Sequence, residues 1–216
     1  MNSYSTFLKI VFILILSSYA VSLNQANAQL VDAFRAELDG AQAGNSGVNA
    51  TGVAIVCLNE SQDELSIDIQ FNGLSTSAIT GCHVRIGGPG ANGPIVFGLV
   101  NPNDDPDDFV DLGTGFTSVW DLDDPAINLQ TQLPALQAEF LHILVFTEAF
   151  PGGFIRGQIE SVLMGDINQD GFTNLIDVSF FVNLLILGEY LLEADFDKNG
   201  VVNLIDIQPF VELISN

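Results

Sequence analysis

Basic residues are what this chain most conspicuously lacks. It has 216 residues, with five Lys and Arg set against 27 Asp and Glu, for a formal charge of −22. Such a surface repels nucleic acid and anionic lipid headgroups, which excludes both as partners. Cysteine is nearly absent as well: Cys57 and Cys82 are the only two, so neither a cysteine-based metal cluster nor a disulfide-rich scaffold is available. There are two histidines and one tryptophan. No Gly-x-Ser-x-Gly, phosphate-cradling loop or His-Glu-x-x-His occurs, and no carboxylate pair is singled out for glycoside hydrolysis. Long apolar runs are missing after the N-terminus; Val178–Leu187 is interrupted by Asn183 and stopped by Gly188, so the mature chain is not expected to insert into a membrane.

The N-terminus carries the one apolar run of note. Lys9 precedes Ile10–Ala20, and Ala26-Asn27-Ala28 has the small-x-small form of a signal peptidase site, which predicts a signal peptide over 1–28 with cleavage before Gln29, an uncleaved N-terminal anchor being the alternative. The expected localisation is secreted, with attachment to a cell surface as a further expectation. Export into an oxidising compartment makes a Cys57–Cys82 bridge an expectation, closing 24 intervening residues and stabilising by roughly 3 kcal/mol. Two buried thiols on facing strands are the alternative.

Residues 29–163 read as β-structure. Leu65, Ile67, Ile69 and Phe71 alternate with Ser66, Asp68, Gln70 and Asn72, the period of a half-buried strand. Similar short runs lie at Phe34–Leu38, Thr51–Cys57, Cys82–Ile86, Ile95–Leu99, Ile143–Thr147 and Phe154–Ile159. Turn sequences separate them, including Asn45-Ser46-Gly47, Gly87-Gly88-Pro89-Gly90 and Pro151-Gly152-Gly153. Some seven strands over ~130 residues predict a β-sandwich or barrel, with a short helix within Asp124–Phe140.

From 164 to 216 the period changes to that of a helix. Val178, Phe181, Val182, Leu184 and Leu185 fall on one face, as do Ile207, Phe210, Val211, Leu213 and Ile214. The two stretches belong to an internal repeat offset by 29 residues, and each follows a twelve-residue acidic loop. The first loop presents Asp166, Asn168, Asp170, Phe172, Asn174 and Asp177 at positions 1, 3, 5, 7, 9 and 12; the second presents Asp195, Asp197, Asn199, Val201, Asn203 and Asp206. Calcium takes 6–8 oxygens, and an EF-hand loop supplies them from these positions, with a backbone carbonyl at 7 and glycine at 6. Gly171 and Gly200 occupy position 6. Two calcium ions are expected, their binding coupled to folding of this small unit.

These repeats resemble the dockerin family, which has duplicated calcium loops, Asp at position 12 and a helix after each loop. The resemblance covers Gly165–Ser215. It implies a small all-α module that docks onto a cohesin-like or cell-surface protein through loop positions 10 and 11, here Leu175, Ile176, Leu204 and Ile205. These four are apolar where many dockerins are polar, and filling the module's own core is their alternative role. Dockerins also commonly carry polysaccharide-degrading or carbohydrate-binding domains, which leaves polysaccharide as a second kind of partner.

The preceding domain resembles the CHRD family. The matching residues are Phe34-x-Ala36-x-Leu38-x-Gly40-Ala41-Gln42, Thr51-Gly52-Val53-Ala54, His83, Gly90-Ala91-Asn92-Gly93-Pro94-Ile95-Val96 and Phe150-Pro151-Gly152-Gly153-x-Ile155-Arg156-Gly157-Gln158. The resemblance implies an immunoglobulin-like or superoxide-dismutase-like β-sandwich without a settled activity. The family often carries a His-x-His strand and a later His-Thr pair. Here His83-Val84-Arg85 and Phe146-Thr147 stand in those places, so two of three histidines are missing and His83 reads as an ordinary strand residue. Arg156 is expected to pair with a carboxylate or satisfy loop carbonyls, with anion binding as the alternative. The acidic run Asn101–Asp108 reads as a solvated loop. The sequence as a whole is read as an exported, non-catalytic, calcium-binding docking protein.

Overall fold

The computed structural model describes residues 33–59, 61–100, 109–121 and 128–215. Residues 1–28, where a signal peptide is expected, and the acidic run Asn101–Asp108 lie outside them. The described residues form two compact units that divide between Val162 and Leu163.

The first unit is a single antiparallel sheet. Its strands are β1 (Ala33–Asp39), β2 (Thr51–Leu58), β3 (Glu64–Asn72), β4 (Ile79–Ile86), β5 (Ile95–Gly98), β6 (Phe109–Asp111), β7 (Gly115–Asp121), β8 (Leu141–Thr147), β9 (Phe150–Gln158) and β10 (Glu160–Ser161). The order is β5-β4-β8-β9-β1-β2-β3-β7-β6, with β10 paired to β1. A two-sheet sandwich was the expectation. The hydrogen bonding instead continues across the middle, where Asp39 on β1 opposes Arg156 on β9. That junction is one residue pair wide, and on either side of it the sheet folds over to enclose its own apolar face.

Alternation explains the enclosure. Along β2 and β3 the inward residues Ala54, Val56, Leu58, Leu65, Ile67 and Ile69 are almost fully buried, and those between them face outward. Side chains from strands throughout the order enter one core cluster. Phe97 on β5 stacks on Trp120 on β7, with ring centroids 4.9 Å apart and planes 5° from parallel. Those strands sit near opposite ends of the order, so this contact closes the curl. The segment β7 was not expected from the sequence: buried Ser118 stands between inward Phe116 and Trp120 and breaks the apolar alternation.

The short helix expected within Asp124–Phe140 is α1 (Leu129–Gln137). Asn128 caps it, its side-chain oxygen accepting from the Gln130 amide at 2.8 Å. Leu129 and Leu136 enter the core.

The expected Cys57–Cys82 bridge is corrected by strand parity. No disulfide joins the two residues. Cys57 sits between inward Val56 and Leu58 and therefore faces outward, half-buried, whereas Cys82 lies in the core. Burial there raises the Cys82 thiol pKa far above its ordinary value.

The second unit holds α2 (Asp177–Leu187) and α3 (Ile207–Ser215). Its core is Ile167, Phe181, Ala194, Val202 and Phe210. Phe181 and Phe210 are equivalent residues of the 29-residue repeat, and they stack at 4.7 Å, which brings the two halves together about their common element. Gly188 ends α2 in the left-handed conformation, φ +67°, its amide donating to the Leu184 carbonyl at 2.8 Å.

Replacing Phe97 removes one half of the stack that closes the sheet. Phe97→Ala is expected to cost the first unit about 3–5 kcal/mol. Trp120 is the sole tryptophan, so urea unfolding followed by its fluorescence reads this loss directly.

Candidate functional site

The two loops are built alike, contact for contact. Asp177 accepts the amides of Ile167 and Asn168 on Oδ1, at 2.9 and 3.1 Å, and that of Asn174 on Oδ2 at 2.8 Å. In the second loop Asp206 accepts from Phe196 and Asp197 at 2.8 and 3.2 Å, and from Asn203 at 2.9 Å. Each position-12 carboxylate thus ties positions 2, 3 and 9 to the first turn of the helix that follows. Position 1 does the same for the middle of the loop. Asp166 accepts from Asp170 and Gly171, and Asp195 from Asn199 and Gly200.

These bonds gather acids that would otherwise sit apart. Asp177, Asp195 and Asp206 are fully buried and Asp166 nearly so. In the second loop Asp195, Asp197 and Asp206 each place a carboxylate oxygen within 4.8 Å of the others. Two unit charges at that separation repel by about 3–4 kcal/mol at an effective dielectric of about 20. Burial pushes the Asp195 carboxyl above its ordinary value, the Gly200 amide pulls it down, and Asp197 and Asp206 push it up again. A close, partly desolvated set of hard oxygens of this kind suits a hard divalent cation. In the first loop Asn168 replaces the position-3 acid and donates to Asp170 at 2.8 Å. The carbonyls of Phe172 and Val201, assigned to position 7, accept from Asn174 and Asn203.

Backbone conformation repeats too. Gln169 and Lys198 at position 4 have φ of +58° and +55°, and Gly171 and Gly200 at position 6 have +87° and +82°. Two left-handed residues per loop fold the chain back around its centre. The apolar pair at positions 10 and 11 stays outside. Leu175, Ile176, Leu204 and Ile205 are 74%, 59%, 76% and 65% exposed, so they do not fill the module's own core.

On the β-unit a second polar cluster lies on the outer face of β4, β8 and β9. Register places Arg85, His142 and Gln158 in one row across the three strands, and His83, Leu144 and Arg156 in the next. His142 and Arg156 are nonetheless buried. His142 Nδ1 lies 3.1 Å from the Gly87 carbonyl, Arg156 Nη2 donates to the Gly88 carbonyl and to Gln158 Oε1, and Gln158 Nε2 donates to the carbonyls of Gly87, Glu139 and Leu141. The His83 ring packs on Phe146 at 5.2 Å. His83 and His142 join no acid or cysteine in a cluster able to hold a metal; among the described residues Asp195, Asp197 and Asp206 form the one such group.

The CHRD domain family matches residues 34–159. The chain belongs to the CHRD-domain family. No curated protein and no solved structure matches it. The CHRD match ends just short of the boundary between the two units. Several CHRD motif residues have visible structural work. Gly157 lets β1 approach, since a Cβ there would sit 2.7 Å from the Glu37 carbonyl oxygen, and Gly153, at φ +125°, would bring one to 2.9 Å from Leu144. Gln158 holds three loop carbonyls at once. The role of Gln158 was not evident from the sequence, because its partners come from segments distant along the chain.

Two outcomes follow. A Cβ at Gly200 meets nothing within 4 Å, so Gly200→Ala is expected to cost only the left-handed backbone penalty, about 1–2 kcal/mol, with Gly200→Asn recovering part of it; thermal unfolding in chelator measures both. His142 is held at about 4, below its ordinary 6.5, first by burial and then by the Arg156 and Arg85 charges. A depressed histidine pKa means that the unfolded chain takes up the proton first. Stability is therefore expected to fall as pH drops from about 6.5 towards 4 and to show no further loss from this group below that. His142→Asn, which keeps a donor for the Gly87 carbonyl, should flatten that slope in denaturant titrations across the range.

Proposed function

We propose that this is an exported, non-catalytic protein in which a CHRD domain is carried on a dockerin-like tail that binds two calcium ions and docks onto a cohesin-type or cell-surface protein. The observation that carries this reading is the exact-register repetition of one loop architecture, with its position-12 carboxylates turned inward and its position 10–11 apolar pairs turned outward.

Each loop offers oxygens from positions 1, 3, 5, 9 and 12, together with the carbonyl of Phe172 or Val201. Bound calcium supplies the positive charge that the chain cannot: the buried acids have donors for hydrogen bonds but few cations nearby. Asp177 and Asp206 then link ion binding to helix start, because each is the first residue or the immediate neighbour of its helix. Docking follows from what stays exposed. Leu175, Ile176, Leu204 and Ile205 lie beside the loops and outside the core, and a partner with an apolar recognition surface buries them at about 25 cal/mol per Å². The signal-peptide reading of residues 1–28 supports export, and no helix among the described residues is long and apolar enough to cross a membrane.

Calorimetry of metal-stripped chain is expected to show two calcium-binding events, and Asp166→Ala with Asp195→Ala to abolish both. Changing Leu175, Ile176, Leu204 and Ile205 together to Asp should leave the calcium heat in place while eliminating calcium-dependent capture by an immobilised cohesin-type domain. A chain silent to calcium contradicts the first half of the reading. Capture that survives the fourfold change contradicts the second.

A further inference from the structure

The outer face of β4, β8 and β9 gathers positive charge in a chain that has almost none. Arg85 and Arg156 are two of the five basic residues, and by register they lie diagonally about His142. Neither meets a carboxylate at ion-pair distance among the described residues. Asp39, which opposes Arg156 across the β1–β9 junction, is turned to Gln42, accepting its amide at 2.8 Å and its side-chain nitrogen at 3.2 Å. Four polar atoms in the cluster are buried without a hydrogen-bond partner: His83 Nδ1, Arg85 Nε, His142 Nε2 and Arg156 Nε. His142 is 0% and Arg156 2% exposed, whereas His83 and Arg85 are half-buried and form the rim.

A buried guanidinium that meets no counter-charge among the described residues is costly. We propose that this face binds a small oxyanion, of the sulfate or carboxylate kind, between Arg85 at the rim and Arg156 and His142 at the floor. The site is independent of the calcium reading. A cation is disfavoured there by the Arg156 and Arg85 charges, both of which act on His142. A large ligand is excluded by the burial of the floor, so a single anionic group enters. His142 with its Nδ1 hydrogen on the Gly87 carbonyl leaves Nε2 as a lone pair; when the anion arrives, Nε2 takes a proton from solvent and becomes a further donor. What sets this proton uptake is first burial, then the Arg156 charge on β9, the Gly87 carbonyl and the Arg85 charge on β4; His83 on β4 is the other titratable group on this face, and Asp39 on β1 is turned to Gln42.

Two histidines in the whole chain make the test direct. Ring resonances of His83 and His142 are followed in the full chain while sodium sulfate replaces sodium chloride at constant ionic strength. Saturable shifts of both rings, with the His142 titration moving to higher pH, are expected. Arg85→Gln, at a half-exposed position, should leave the unfolding midpoint near that of the parent and weaken sulfate binding roughly tenfold, the scale of one lost charged hydrogen bond. A sulfated oligosaccharide that binds better than inorganic sulfate, at equal sulfate concentration, places the anion on a glycan; equal binding assigns a free ion. Rings that ignore sulfate, phosphate and acetate overturn the proposal. So do rings that shift with zinc in the absence of these anions, or an Arg85→Gln chain that binds sulfate as the parent does.

Discussion

Buried charge must be compensated, and this chain has five basic side chains to set against 27 acidic ones. The two units meet that constraint in opposite ways. In the C-terminal unit the acids are buried first and surrounded by backbone amides. Asp177 and Asp206 each accept three N–H groups and Asp166 and Asp195 two each, so the loops are held by carboxylates as much as by their own backbone. Hydrogen bonds to a carboxylate favour its charged form, but they do not remove the mutual repulsion of Asp195, Asp197 and Asp206. That residue of unbalanced charge is what supports the proposal that the unit takes a cation.

In the β-unit the imbalance has the other sign. The sheet sequesters Arg156 under the Gly87–Gly88 turn and gives it carbonyl oxygens but, among the described residues, no anion. Carbonyl dipoles solvate a guanidinium without neutralising it. Burial first, and then the Arg156 and Arg85 charges, hold the His142 pKa below its ordinary value. One chain thus carries a cluster of buried acids in one compact unit and a buried guanidinium in the other.

Much of this was legible in advance, and the failures have physical causes. The strands β1 to β5, β8 and β9 announce themselves because alternate residues face one continuous core. The strand β7 does not, since a buried serine sits between Phe116 and Trp120; the chain's only tryptophan was the signal that something there is core. The cysteine bridge failed on parity that was present in the sequence: Val56 and Leu58 flank Cys57, so it cannot point where Cys82 points. The 29-residue repeat was the most legible feature of the second unit, and it returns as matching hydrogen bonds in its two halves. The β4-β8-β9 cluster was invisible, since Arg85, His142 and Arg156 become neighbours only through pairings 57 and 12 residues apart in sequence, those of Arg85 with His142 and of Leu144 with Arg156.

The apolar pairs at loop positions 10 and 11 complete the contrast. An unpartnered acidic loop needs nothing hydrophobic beside it, and a small core has every use for a leucine or an isoleucine. Yet Leu175, Ile176, Leu204 and Ile205 are left outside while Phe181 and Phe210 stack in the centre. Since equivalent residues are exposed in both copies, the exposure belongs to the loop architecture and not to one strained turn. A unit that leaves four large aliphatic side chains exposed beside two acidic loops retains a hydrophobic cost in each copy. Covering them on a partner offsets that cost, and the carboxylates at position 12 set the geometry in which they are offered: each fixes the turn whose last two residues are the apolar pair. On the function proposed above, cation uptake and partner recognition fall on the same three residues of each repeat, 175–177 and 204–206.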